Sequence, residues 1–187
     1  MSRTVPERLA VGVALLRPFK RLVRSDSGAT AVEFGLVAAP FLALLLALFQ
    51  TGIVFLAGRI LDQTVAQASR YIMTGQAQTS GMTQAGFKNW VCSNTLALFN
   101  CSNFMINVQN SASFATANTT TPTLTFDANG NVTNTWTYSP GNPGDIVVVQ
   151  VMYQWPVVLG PLSFNLSNLS NGNRLMVSTA VFRNEPY

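Results

Sequence analysis

Residues 34–58 form a run of 25 without a charged side chain, and this run limits the chain's possible folds more than any other feature. A bilayer core about 30 Å thick is crossed by roughly 20 helical residues, so the run is long enough to span one with some tilt. A secretory signal peptide carries an apolar core of only about 7–15 residues ahead of its cut site. The run is therefore expected to remain in the mature chain as a membrane anchor. It follows Gly28-Ala29-Thr30-Ala31-Val32-Glu33, a string of small residues ending in an acid.

Charge sets the expected orientation. Arg3, Arg8, Arg17, Lys20, Arg21 and Arg24 against Glu7 and Asp26 put the whole formal net charge of +4 ahead of residue 29, and the remainder is neutral. Basic residues flanking a first span stay cytoplasmic, which places the N-terminus inside and the rest outside. The same residues attract anionic lipid at about 1 kcal/mol each near the surface. With no aromatic platform and no basic fold downstream, nucleic acid is not an expected partner.

Beyond the anchor, residues 75–187 hold only Lys88, Asp127, Asp145, Arg174, Arg183 and Glu185 as charges among many Asn, Ser and Thr. Cys92 and Cys101 are the only cysteines, and an even count in an oxidising compartment reads as a disulfide contributing roughly 2–3 kcal/mol. The alternative is a pair of buried free thiols. A metal site is not expected, since zinc needs more ligands and the chain has no histidine. The same lack, with acids that stand alone and cysteines that suit each other, argues against an enzyme, and no cofactor is expected.

The chain divides into a basic leader (1–28), a long helix comprising span and stalk (29–74), a connector (75–82) and an exported domain (83–187). After Arg59 the helical period persists, with Leu61, Val65, Ala68 and Ile72 along one face. Residues 29–74 as one helix would be roughly 70 Å long at 1.5 Å per residue. Gly75 is the expected stop. A second helix is expected over about 83–99, with Phe87, Trp90, Val91 and Leu98 at helical spacing behind a cap at Ser80 or Thr83. Strands are expected at 104–109, 123–126, 132–138, 146–155 and 175–182. Asn129-Gly130 would turn a hairpin between the second and third, and Pro156 with Gly160-Pro161 would end the fourth, which is expected to be central. The product is an α+β chain: a transmembrane helix continuing as a stalk, then a small domain of one helix and an antiparallel sheet packed on the helices by one face.

Small residues recur every four positions at Ala31, Gly35, Ala39, Ala43, Ala47 and Thr51, a ridge on which another helix backbone can approach closely. Each four-residue step rotates about 40°, so one partner would use two or three of these positions. Alanine-rich spans also generate such ridges by accident. Pro40 removes one backbone hydrogen bond inside the span, which membrane helices tolerate. Glu33 lies at the edge of the apolar run, where an ionised group is costly and usually paired. Cleavage after Gly28 would create an α-amino group on Ala29, four residues earlier on the same face or on a neighbouring subunit. The alternative is that Glu33 rests in the wet interface.

Gly28 followed by Ala29-Thr30-Ala31-Val32-Glu33-Phe34 resembles the prepilin-peptidase site of the tight-adherence (Tad, or Flp) pilins, in which the peptidase cuts after the glycine and the fifth mature residue is Glu followed by Tyr or Phe. The whole chain is similar to the TadE-like minor pilins or pseudopilins. It shares the basic leader, the single span, the stretch 59–78 ending in Arg70-Tyr71-Ile72-Met73-Thr74-Gly75-Gln76-Ala77-Gln78, the cysteine pair and the β-rich exported domain. Gln50 stands where many relatives carry an acid. The resemblance implies a pilin-like head and processing at Gly28 and Ala29. It further implies assembly through the membrane helix, beginning with Glu33 and Phe34, and the ridge at Gly35, Ala39, Ala43 and Ala47 is the expected helix-packing face. The implied role is structural: a low-abundance subunit that enters or primes an adhesive surface pilus. Its implied partners are the prepilin peptidase, the major pilin, a companion pseudopilin, the inner-membrane assembly platform and membrane lipid. The implied location is the bacterial inner membrane, with the head in the periplasm. The competing reading is an uncleaved single-pass protein whose exported domain is a binding or adhesion module.

Overall fold

The computed structural model describes residues 26–158 and 164–187. The basic segment expected over residues 1–28 lies outside these, apart from its last three residues, as does the Gly160-Pro161 pair. Helix α1 runs over Asp26–Met73, 48 residues, and carries Pro40 without ending there. Two compact units divide between Leu48 and Phe49.

The first unit's described part is the N-terminal half of α1. Its large apolar side chains, Phe34, Leu36, Phe41, Leu44 and Leu48 among them, are uncovered. The second unit, Phe49–Tyr187, holds the rest of α1, a one-turn helix α2 (Gln76–Thr79), helix α3 (Gln84–Ser93) and a sheet of β1 (Phe104–Ser111), β2 (Ile146–Trp155) and β3 (Arg174–Arg183). The strand order is β1-β2-β3 with both pairings antiparallel, so β2 is central as its unbroken apolar face implies.

The expected amphipathic face of α1 is the floor of the core. Val54, Ala57, Leu61, Val65, Ala68 and Ile72 are buried together with Phe87 and Val91 of α3. Alternate residues of the sheet face them: Phe104, Ile106 and Val108 on β1, Val147, Val149, Val151 and Tyr153 on β2, and Met176 on β3. Each large apolar side chain so buried contributes about 1.5–3 kcal/mol, which is what holds the stalk half of α1 to the sheet.

α1 stops at Gly75, whose φ of 76° is a left-handed conformation that suits glycine. The C-terminus closes the same end. The Glu185 amide donates to the Met73 carbonyl at 2.9 Å, and the Tyr187 ring lies where a Cβ on Gly75 would project. Asn184 is buried and donates to the Pro140 and Asn142 carbonyls at 2.8 and 3.1 Å, tying this tail to the turn before β2.

α3 begins where Thr83 caps it, its hydroxyl accepting from the Gly86 amide at 3.2 Å. It ends at Ser93 rather than near Phe99, because polar side chains there turn back on the last carbonyls. Asn94 Nδ2 donates to Trp90 O at 2.8 Å, and Thr95 Oγ1 donates to Val91 O at 2.7 Å. Phe99 still reaches the core and meets Tyr153 edge-on, with centroids 4.9 Å apart.

The expected hairpin over 123–138 forms its turn but not its strands. Asp127 Oδ1 accepts from the Asn129 and Asn131 amides, each at 2.8 Å, Gly130 takes φ 81°, and a single bridge joins Phe126 to Val132. Side chains do the rest of the pairing. Asn134 Oδ1 accepts from the Thr125 amide at 2.7 Å, and its Nδ2 donates to Thr123 O at 3.0 Å, where a ladder would have used backbone groups. Further along, Tyr138 forms an isolated parallel bridge with Val108 of β1, which is an edge strand of the sheet.

This polar segment also explains a sheet buried on both faces, where only one was expected to be packed. On the face away from the helices, Met105, Asn107, Val148, Gln150 and Met152 are buried. Asn107 Nδ2 donates to Gln150 Oε1 at 3.2 Å. Gln150 Nε2 donates to Thr120 O at 3.1 Å, and the Thr137 amide donates to Asn107 Oδ1 at 3.1 Å. Buried amides need such partners, and here they come from the loop that lies over them.

Tyr138 supplies a pH prediction. Its ring packs on Phe87, its hydroxyl is buried without a partner among the described residues, and burial, helped by Tyr71 nearby, pushes its pKa up to about 12. The folded phenol therefore keeps its proton where the unfolded one loses it, near 10.0, and stability falls as pH rises beyond that value. Denaturation midpoints measured from pH 9 upward should decline through this window, and the Tyr138→Phe variant should remove that part of the decline.

Candidate membrane anchor and assembly surface

The candidate site residues at Gly28, Ala29, Glu33, Phe34, Gly35, Ala39, Ala43 and Ala47 all stand on α1, within the first compact unit. Alanine and leucine predominate in this stretch, and both are strong helix formers. The helix Gly28–Met73 contains an 18-residue window of mean hydropathy 2.3, none of it buried in the chain. It is the one helix among the described residues long and apolar enough to cross a membrane. A helix that is apolar all round and uncovered suits hydrocarbon rather than water.

Glu33 and Phe34 are both exposed, and Phe34 is 75% so. Among the described residues the only ion pair is Arg59 with Asp62 at 3.8 Å, so the exposed Glu33 has no cation partner among them. Ala29, four residues ahead, is exposed on the same side. At Gly35, Gly52 and Gly58 a Cβ would meet nothing within 4 Å, so each leaves a notch in the helix surface at which another backbone can approach.

Cys92 and Cys101 belong to the other unit and are joined as a disulfide with Cα atoms 5.5 Å apart, within the usual span of about 4.4–6.8 Å. The bond ties the last turn of α3 to the short 3-10 turn Cys101–Asn103 that opens β1. Closing so short a loop is worth about 2–3 kcal/mol. Denaturation of the chain with and without reductant should differ by that amount, and the Cys92→Ser, Cys101→Ser double variant should match the reduced protein.

No three His, Cys, Asp or Glu residues stand together as a metal site among the described residues. One polar contact that residue patterns did not reveal lies where α1 enters the second unit. Gln50, the lone amide in the charge-free run, donates from Nε2 to the carbonyl of Val158. A polar residue isolated in an apolar run was the available signal, but its partner is 108 positions away.

The family model described as TadE-like protein matches residues 28–70. The match opens at Gly28, takes in every candidate site residue on α1 and ends within the stalk. No curated protein and no solved structure matches the chain.

Proposed function

We propose that this chain, TadE-like over residues 28–70, is a minor pilin or pseudopilin that assembles or primes a Tad-type adhesive pilus through its membrane helix. The observation that carries the reading is the coincidence at Gly28: the family match begins at the residue where the small-residue cut signature opens. Processing there leaves Ala29 as the first residue and removes the cationic leader. The exposed helix that remains presents Glu33 and Phe34 at its start, followed by the ridge Gly35, Ala39, Ala43 and Ala47. Before assembly this surface faces lipid. In a pilus it would face the helices of the major pilin or a companion pseudopilin, and the Glu33 carboxylate would meet an α-amino group, its own or a neighbour's. A charge pair in low dielectric is stabilising only when both members meet, so Glu33 selects partners as much as it strengthens contacts. The head would lie in the periplasm with its disulfide oxidised, and the role is structural rather than catalytic.

Intact mass of the membrane-extracted protein, from cells that express the prepilin peptidase, tests the reading. A chain starting at Ala29 is expected, and one still carrying Met1 to Arg24 contradicts it. Glu33→Ala should leave membrane insertion unchanged while removing the subunit from sheared pili or abolishing piliation. Normal piliation in Glu33→Ala and in a Gly28 variant, with ligand binding by the head, would instead favour an uncleaved binding module.

A further inference from the structure

The second unit carries an apolar feature outside the helix. Val158, just beyond β2, is 77% exposed, the most open large apolar side chain among the described residues, and it follows Pro156 and Val157. The sequence from Ile146 to Asn173 contains no charge. We infer that residues 156–158 form a second, shallow membrane contact, bedding the head into the acyl edge of the bilayer beside its own anchor. The inference rests on the reading of α1 as a membrane span.

The position of this turn along α1 carries the argument. Gln50 holds the Val158 carbonyl, and the first charge after the apolar run is Arg59, nine residues later and solvent-facing at 84% side-chain exposure. At 1.5 Å per residue the turn is fastened about 13 Å to the membrane side of that charge, and a typical helix tilt of about 20° shortens this only slightly. The polar layer on each side of a bilayer is only roughly 5–7 Å deep. With Arg59 and Asp62 at the aqueous boundary, Val158 reaches past the headgroups. Phe49, Ile53 and Leu56 are exposed on the stretch of α1 around Gln50, so the helix is apolar at the height where the turn is fastened.

Two backbone groups of the turn agree with a lipid occupant. Backbone groups in hydrocarbon must find partners inside the protein. Pro156 brings no amide proton, and the Val158 carbonyl is satisfied by the Gln50 amide. Gln50 is thereby explained as the donor that lets an irregular backbone rest at this depth. An exposed apolar surface of this kind without a lipid partner would be an aggregation liability in water.

The test uses the full chain in vesicles of phosphatidylethanolamine and phosphatidylglycerol, with its native disulfide intact and a polarity-sensitive fluorophore on Val158→Cys. Leu44→Cys reports the span and Asn129→Cys reports the aqueous head. The Val158 label is expected to emit to the blue of the Asn129 label. It should lose fluorescence to lipids bearing a nitroxide near the headgroup, and it should resist aqueous iodide. If the Leu44 label is quenched by lipid while the Val158 label behaves like Asn129, the shallow contact is overturned and the anchor stands. If neither is quenched, both are overturned.

Discussion

Gly75→Val is expected to destabilise the Phe49–Tyr187 unit by at least about 1–3 kcal/mol, through two costs. The first is conformational: φ is 76° at this position, and a β-branched residue there is strained by about 1–3 kcal/mol. The second is steric, because the new side chain would overlap the Tyr187 ring and displace it from the end of α1. Urea denaturation of the detergent-solubilised chain, followed by tryptophan fluorescence, measures the total. Adding Tyr187→Ala should relieve the overlap but not the strain, so the double variant should recover only part of the loss. Equal stabilities for wild type and Gly75→Val would mean that the C-terminal residues do not close the end of α1.

Phe87→Ala is expected to cost about 3–5 kcal/mol, a large part of the 5–15 kcal/mol that holds a typical domain. Phe87 is fully buried, 5.4 Å from the Tyr138 ring and 6.2 Å from that of Trp90. It stands in the cluster where α1, α3 and the sheet meet, so its removal leaves a cavity lined by three elements that cannot collapse together. Phe114→Ala is the control. That ring is 61% exposed, and its loss should fall within about 0.5 kcal/mol of wild type. The comparison is read by the same denaturation measurement.

What could be read from residues alone was whatever rests on periodicity and length. The long apolar helix follows from 25 uncharged residues, the buried stripe of α1 from Leu61, Val65, Ala68 and Ile72, and β2 from its alternation, and each has its expected place in the fold. Thr83 was legible as a cap because the chemistry is local. Features that depend on distant partners were not. The hairpin over 123–138 looked like two strands by alternation, yet its threonines and asparagines bond locally and its far end pairs with β1. Asn107 and Gln150 are polar residues within otherwise apolar strands, and they are buried because a loop satisfies them. On the candidate assembly surface, the composition of α1 identified the exposed helix. The Gln50 to Val158 bond and the closure of Gly75 by Tyr187 join residues more than 100 positions apart, which no local pattern encodes.

The account depends on α1 being held in a bilayer, and extraction of membranes with alkaline carbonate tests this most directly. The full chain is predicted to stay in the membrane pellet and to leave it only with detergent. Recovery of the chain in the soluble fraction without detergent would contradict the account.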